Sequence, residues 1–204
     1  MSLRDVTHKV SDGLLGFATA TGDGLHIKVG VSPIVSDTPI IVTGDMDAAK
    51  IKSRLGLSPL ADSVMDAVQF GAGRIFCIPV AATTKGTIGE ITHEGEGIGT
   101  VAVTGEPTNA FGVIVKITGQ GGLNAAAFSV SIDGGYSFSD EITVPLTGTY
   151  EIAGTGLKLT FTEAEGEDQK ASSFIVSDTF SCNTTAPVAT NGDILTAVEK
   201  IKKF

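Results

Sequence analysis

Tryptophan is absent from this chain of 204 residues, and aromatic residues make up only 6% of it. A hydrophobic core must therefore be built mainly from aliphatic side chains and a few phenylalanines. Cysteine is scarce as well, with Cys77 and Cys182 as the two representatives. Two cysteines without a secretory signal favour buried, reduced thiols, while the sequence leaves a disulfide between them open.

Basic residues are also few, with 14 Lys and Arg against 23 Asp and Glu and a formal net charge of −9. This balance disfavours nucleic acid as a partner, because affinity for the phosphate backbone comes from Lys and Arg. The longest apolar runs fall far short of the roughly 20 residues that span a bilayer. The first ten residues contain no signal-peptide h-region. We therefore expect no nucleic-acid partner and no membrane partner.

Motifs for catalysis or cofactor binding are lacking. The three histidines, His8, His26 and His93, show no metal-ligand spacing, and HExxH, GxSxG, CxxC and GxxxxGK[ST] do not occur. The segment Gly95–Gly99 resembles a phosphate-binding loop only superficially, since it has acidic neighbours and does not lead from a strand into a helix. We expect no enzyme, no cofactor and no metal site.

Residues 1–85 predict part of a small α/β frame. Apolar residues alternate with small or polar ones around Ile27, which is typical of a half-buried strand. Continuous apolar runs at Pro39–Thr43 and Arg74–Val80 are typical of interior strands. Helices between these two runs complete a β-α-α-β order, which predicts a parallel pair of strands.

Capping residues mark both predicted helices. Asp45 is predicted as the N-cap of the first helix, and Gly56 as its C-terminal stop. Ser58 followed by Pro59 predicts the start of the second helix, because serine caps well and proline suits the first helical position.

Residues 86–187 predict an all-β module inserted into the frame. Apolar residues recur here with a period of two, and Gly-rich turns separate the runs. The alternating apolar positions are Val113, Val115, Ile117, Phe128, Val130, Ile132, Ile142, Val144, Leu146, Leu157, Leu159, Phe161, Phe174, Val176 and Phe180. Five or more short alternating strands predict an antiparallel sandwich or barrel. The fold class is therefore α+β.

Residues 188–204 return the chain to the frame and predict a helix capped by Asn191 or Asp193. A frame with only this helix on its second face has little cover. We therefore expect the natural protein to continue beyond Phe204, or a partner to supply the missing cover.

Charge is unevenly divided between the two regions. The module holds thirteen acidic residues and three lysines, whereas the frame holds ten acidic and eleven basic residues. A near-neutral frame suits packing against copies of itself, and an acidic module resists nonspecific association. The acidic run at Glu163–Asp168 predicts a solvated loop.

The sharpest local motif, Ser131–Phe138, resembles an Asp-box, the S-x-D-x-G-x-T-W hairpin. Its key positions are Ser131, Asp133, Gly135, Ser137 and Phe138, with Ser and Phe in place of the usual Thr and Trp. Asp133 is expected to accept hydrogen bonds from the turn, and the aromatic residue to close the hairpin. Asp-boxes are structural, so the motif predicts a β-hairpin and not a binding site.

Frame and module together resemble contractile phage tail sheath proteins. The resemblance rests on the order of a strand ending at a glycine, a short helix, a helix leading into a small-residue turn, and an apolar strand. The matching segments are Pro39–Gly44, Gly56–Leu60, Asp62–Val68 and Gly71–Val80. The module resembles the variable domain that phage and prophage sheath proteins insert into this frame.

The resemblance implies a structural subunit of a virion tail that is assembled in the host cytoplasm. Such a subunit forms hexameric rings with copies of itself around a tail tube protein and contracts mechanically. By the same resemblance, this chain is the N-terminal portion of the protein. Residues Asp5–Ala20 then form a linker or arm towards a neighbour, or equally a simple N-terminal strand of the same sheet. The alternative function is a β-sandwich adhesion or carbohydrate-binding module.

Overall fold

The structure is a computed structural model that describes residues 26–201, so the predicted arm at Asp5–Ala20 lies outside it. The chain forms a mixed α+β fold. Its elements are β1 (His26–Val31), β2 (Ile40–Thr43), α1 (Ala48–Leu55), α2 (Pro59–Gln69), β3 (Arg74–Val80), β4 (Thr92–Glu94), β5 (Thr100–Gly105), β6 (Gly112–Gly119), β7 (Ala127–Ser131), β8 (Ile142–Thr143), β9 (Thr149–Ile152), β10 (Leu157–Thr162), a 3₁₀ turn (Lys170–Ser172), β11 (Thr179–Asn183) and α3 (Asn191–Ile201).

The first sheet has the strand order β1–β3–β2. β1 runs parallel to β3, whereas β2 runs antiparallel to it. The prediction that the strands on either side of the two helices form a parallel pair is therefore wrong. A single crossover helix returns the chain for a parallel strand, but a second helix adds one more reversal of direction. The parallel partner of β3 is the earlier strand β1.

The second helix begins as predicted. Ser58 is its N-cap and accepts the N–H of Ala61 at 3.2 Å, and Pro59 occupies the first helical position. The Ser58 hydroxyl also donates to the carbonyl of Leu55 at 2.9 Å, so one buried side chain joins the end of α1 to the start of α2.

The first helix begins two residues later than predicted. Its N-cap is Asp47, which accepts the N–H of Lys50 at 2.8 Å, and not Asp45. The Met46 N–H donates to the carbonyl of Thr43 at 3.0 Å, so a hydrogen-bonded turn still occupies the position of Asp45. The C-cap of α1 is Gly56, at a φ of +69°, as predicted.

The last helix is capped by Thr190, and the prediction of Asn191 or Asp193 as its N-cap is wrong. The Asp193 N–H donates to Thr190 Oγ1 at 3.2 Å, and the Thr190 N–H donates to Asp193 Oδ2 at 3.0 Å. This reciprocal pair is a capping box, in which a hydroxyl residue and an acidic residue three positions later satisfy each other's N–H groups.

The second face of the first sheet carries the last helix, as the sequence predicts. α3 packs on β3 and β1. It lies on the side opposite α1 and α2, where Ile78 and Val80 are buried. None of the helices in residues 26–201 is long and apolar enough to cross a membrane.

The remaining strands form two antiparallel sheets. One has the order β5–β10–β9 and the other β4–β11–β6–β7–β8, and neither closes into a barrel within the described residues. Buried side chains from both sheets meet in one cluster, which includes Val113, Val115 and Phe128 from the larger sheet and Leu157 and Leu159 from the smaller.

The period-two pattern locates most of these strands and misplaces two residues. The apolar positions of β6 and β10 are buried as predicted. Leu146 is exposed in the turn after β8, where Gly148 donates to the carbonyl of Pro145. Val176 is exposed as well, because β11 starts only at Thr179. The pattern does not predict strands β4, β5 and β9.

Most of the buried hydrophobic side chains fall into two separate clusters. One joins α1 and α2 to the first sheet and contains Cys77; the other lies between the two antiparallel sheets and contains Cys182. Both thiols are free, and each is buried in its own cluster. Burial raises the pKa of Cys77 to about 11 and also raises that of Cys182.

Two adjacent segments connect the clusters, and we call them the ribbon: residues 81–89 and 183–190. They run antiparallel, with Thr84 and Val188 exchanging backbone hydrogen bonds of 2.9 Å. Thr185 donates to the carbonyl of Thr87, and Gly89 donates to the carbonyl of Asn183. The chain thus leaves the frame and returns to it side by side.

Candidate functional site

The Asp-box-like segment is a hairpin held by three side chains. Asp133 Oδ1 accepts the Ser131 hydroxyl at 2.7 Å and the Ser137 N–H at 3.0 Å, and Oδ2 accepts the Ser137 hydroxyl at 2.5 Å. Ser131 Oγ in turn accepts the Gly135 N–H at 2.9 Å. Gly134 and Gly135 take positive φ values of 74° and 96°, which glycine adopts without strain.

The carboxylate of Asp133 is committed to this hairpin. Hydrogen bonds from the side chain and backbone of Ser137, and then from the side chain of Ser131, hold its pKa well below the usual range. These bonds stabilise the ionised carboxylate, and they occupy both of its oxygens. The group therefore works as an internal brace of the turn.

The aromatic residues of the hairpin do not close it, which corrects the expectation for Phe138. Phe138 is 43% exposed, and Tyr136 at the tip is 95% exposed. A backbone hydrogen bond closes the hairpin instead, since Ser139 donates to the carbonyl of Val130 at 2.9 Å. Gly134 at the tip donates to the carbonyl of Gly112, at the start of β6, at 2.8 Å. Two aromatic side chains are left facing solvent at one end of the larger sheet.

A second polar centre lies at the opposite end of that sheet and was not predicted. The carboxylate of Asp178 is 2% exposed. It accepts the N–H groups of Glu96 at 3.0 Å, Gly97 at 3.3 Å and Ile175 at 2.8 Å. The Gly-rich loop thus wraps an anion, as phosphate-binding loops do, but the anion belongs to the chain itself.

This arrangement explains the glycines at 95 and 97. A Cβ at Gly95 would lie 2.0 Å from Asp178 Oδ1, and a Cβ at Gly97 would lie 2.1 Å from Oδ2. Only glycine lets the loop approach the carboxylate so closely. The available sequence signal was the Gly-x-Gly-x-Gly spacing, but the distant Asp178 could not be paired with it from spacing alone.

The acidic run beyond β10 is partly engaged and not simply solvated. Glu163 Oε2 accepts the N–H of Leu123 at 2.9 Å. Lys170 forms ion pairs with Glu163 at 3.4 Å and Glu167 at 2.7 Å. Hydrogen bonding to Glu167 and then Glu163 raises the pKa of Lys170. These groups line an open depression of about 600 Å³, in which the one lysine offsets part of the negative charge of the two glutamates.

The histidines are not brought together among the described residues. His26 opens β1 in the frame, and His93 lies on β4 in the module, where its ring stacks on Phe180 at 4.3 Å. His8 lies outside residues 26–201. Within that range, no group of three or more His, Cys, Asp or Glu side chains is placed to hold a metal ion.

The fold and its polar centres define a class of protein. It is an α+β protein with two hydrophobic cores, in which the carboxylates of Asp133 and Asp178 hold loops in place through hydrogen bonds. Within this class, the family described as "DUF2586, N-terminal domain" matches residues 3–204. The chain belongs to this family. No curated protein and no solved structure matches the chain.

Proposed function

We propose that the chain is part of a structural subunit of a contractile, phage-like tail sheath. The observation that carries the proposal is the way an acidic module is mounted on a near-neutral frame. The module leaves and rejoins the frame through paired, adjacent segments, and it carries thirteen acidic residues against three lysines. Such a mounting leaves the frame's surfaces available for packing against copies of itself.

The finer architecture belongs to the same proposal. The frame comprises residues 1–85 and 188–204, and residues 86–187 form an inserted β-sandwich. In support, the two antiparallel sheets share one cluster of buried side chains, while α1, α2 and the first sheet share another. In this reading the protein forms hexameric rings around a tail tube protein, and it is located in a virion tail assembled in the host cytoplasm.

The polar centres support a mechanical role for the module. Asp133 and Asp178, the carboxylates with the most hydrogen-bond partners in the module, brace a hairpin and join two loops. Neither offers a free oxygen pair for binding a substrate. Contraction by sliding rigid subunits requires stiff bodies and no perturbed catalytic group.

Electron microscopy of the protein expressed from its complete natural gene tests this proposal. Rings or tubes of constant diameter, formed alone or on addition of the tube protein, are the expected result. Monomers under all of these conditions would overturn it.

A second candidate function, an adhesion or carbohydrate-binding module, is favoured by one observation. Tyr136 is almost fully exposed beside the half-exposed Phe138, and exposed aromatic rings are common sugar-stacking platforms. A glycan array tests it. Binding that disappears in Tyr136→Ala, but persists in Leu146→Ala at another exposed apolar site of the module, would support this candidate over the sheath.

A further inference from the structure

The ribbon joins the two cores through two connections that lie side by side. Its residues 81–85 are all exposed, and its backbone pairing consists of isolated bridges and not a regular ladder. Two adjacent connections allow the module to rotate relative to the frame about one axis, and they resist rotation of the module about the direction of the connections. The hinges of proteins are a few such segments that absorb the change in backbone angles.

Both ends of the ribbon are anchored. At the frame end, the Thr83 hydroxyl donates to Asp193 in the capping box of α3. At the module end, Lys85 forms an ion pair with Glu106, and a Cβ at Gly86 would lie 2.3 Å from the carbonyl oxygen of Thr185. The freedom to bend is therefore confined to a short stretch around the bridge between Thr84 and Val188.

Away from the ribbon, two side chains of the frame contact the module. Leu57, in the connection between α1 and α2, packs against the hydrophobic cluster of the module. Asp62, in the first turn of α2, accepts the side-chain N–H of Asn109 at 2.5 Å. We call these two contacts the latch.

The frame side of the latch is rigid. The carbonyl of Leu55, just before Leu57, accepts the buried hydroxyls of Ser32 at 2.8 Å and Ser58 at 2.9 Å. A Cβ at Gly56 would lie 2.5 Å from the ring of Pro33. The connection that carries Leu57 is thus fixed to the end of β1.

The module side is one preformed surface. Leu57 lies against the turn after β9, since a Cβ at Gly154 would be 3.5 Å from Leu57 Cδ1. Asn109 belongs to the segment before β6, and Thr108 of that segment donates its N–H to Thr155 at 3.0 Å and its hydroxyl to Gly154 at 3.1 Å. The two landing points are therefore hydrogen-bonded to each other.

We infer that the latch holds the module in one orientation on the frame, and that the module swings about the ribbon when the latch opens. Opening costs little at Asp62, because this side chain is already exposed and water replaces its partner. It leaves each core intact, because the latch residues lie outside the frame's cluster and at the rim of the module's. A latched and an open orientation of the module then form a two-state element.

This inference concerns contacts within one chain, so it stands or falls independently of the sheath proposal. Spin labels at Lys52→Cys on α1 and Lys158→Cys on β10, both exposed positions, report the distance between frame and module by pulsed electron resonance. The native thiols of Cys77 and Cys182 are buried. Treating the chain without the two introduced cysteines with the same reagent should attach no spin label, which checks that the native thiols do not react.

The labelled parent is expected to show one narrow distance distribution. Leu57→Ala combined with Asp62→Ala is expected to broaden it or to add a second distance. Asp66→Ala, another exposed acid one turn further along the same helix, is the matched control and should leave the distribution narrow. Asn109→Asp opens the latch from the module side, because it places a second carboxylate against Asp62. This variant should also broaden the distance distribution, and it provides the test if the first variant does not fold.

An unchanged narrow distribution in both latch variants would overturn the inference, because the latch would then not set the orientation. A parent distribution as broad as that of the variants would overturn it as well. Protection of Cys77 and Cys182 from a thiol reagent in every variant confirms that any broadening comes from a change of orientation and not from unfolding.

Discussion

The frame and the module have hydrophobic cores of different composition. The frame packs aliphatic side chains of two helices against a three-stranded sheet, and its helices are capped by Ser58 and Asp47. The module packs phenylalanines: Phe128, Phe161, Phe174 and Phe180 form a chain of neighbouring rings with centroids 4.8–6.4 Å apart.

The two regions also differ in how they handle charge. In the module, the buried carboxylate of Asp178 joins two loops far apart in sequence. In the frame, the helix cap Asp47 and the latch residue Asp62 are exposed, and Asp193 in the capping box of α3 is half-buried. The comparison teaches that the module depends on specific long-range contacts, whereas the frame depends more on local helix signals.

The largest expected effect separates the two cores. Phe128→Ala removes a fully buried ring from the module, which costs about 3–5 kcal/mol because its neighbours Phe161 and Tyr150 lose their partner. Labelling of Cys182 by a thiol reagent should accelerate strongly, with little change at Cys77 in the other core.

The reciprocal variant makes this prediction sharper. Leu60→Ala in the frame core costs about 2–5 kcal/mol and should accelerate labelling of Cys77 and not of Cys182. If either variant accelerates both thiols equally, the two regions unfold as one unit and the contrast between them is lost.

Asp178→Asn tests the buried brace of the module. The amide must place an N–H₂ against backbone N–H groups that now donate to a carboxylate, so we expect a loss of about 3 kcal/mol. Urea unfolding followed by circular dichroism measures it. Asp168→Asn, an exposed acid in the run beyond β10, is the control and should change stability by less than about 0.5 kcal/mol. Equal midpoints for the two variants would contradict the role assigned to Asp178.

Ser58→Ala tests the local signals of the frame. Loss of the cap on α2, together with the bond to Leu55, should cost about 1 kcal/mol and should speed labelling of Cys77 only modestly. Ser53→Ala on the exposed side of α1 serves as the control. A larger loss of stability in Ser58→Ala than in Asp178→Asn would contradict the expectation that the long-range contact in the module contributes more than the local helix cap in the frame.

The smallest expected effect concerns the hairpin and pH. Because the folded pKa of Asp133 is depressed, its hydrogen bonds stabilise the hairpin above the unfolded pKa of about 3.9, and this contribution is lost as pH falls through the lower folded value. The protection of the Gly135 and Ser137 amides from exchange, relative to the intrinsic exchange rate at each pH, should therefore persist at pH 4 and be lost only in more acidic solution.

Two substitutions check the assignment of this pH dependence. Asp133→Asn should remove the dependence, and Asp140→Asn nearby should preserve it. If the amides lose protection near the pH at which an ordinary aspartate is half protonated, the carboxylate does not hold the turn.

Much of the fold could be predicted because its signals are local. Ser58 followed by Pro59 specifies a helix start, and the alternation at Leu157, Leu159 and Phe161 specifies a half-buried strand. The hairpin at Ser131–Phe138 is predicted for the same reason, since the hydrogen bonds that Asp133 and Ser131 make with their side chains join residues at most four apart.

The misses share a different physical cause. Strand direction in the first sheet depends on how many elements connect β2 to β3, and the cap of α3 depends on a reciprocal pair, Thr190 and Asp193, instead of one residue. Phe138 is 43% exposed, and a backbone hydrogen bond from Ser139 to Val130 spans the hairpin beside it.

By itself, the sequence determined the α+β class, the helix caps at Ser58 and Gly56, most of the alternating strands and the division of charge between frame and module. These depend on residue type and on spacings of a few positions. Only the tertiary structure decided that the Gly95–Gly99 loop holds Asp178, that the two thiols lie in different cores, and that Leu57 and Asp62 meet the module. The contacts of Asp178, Leu57 and Asp62 join residues dozens of positions apart in the sequence. How the sheets pack decides both these contacts and the separation of the two thiols.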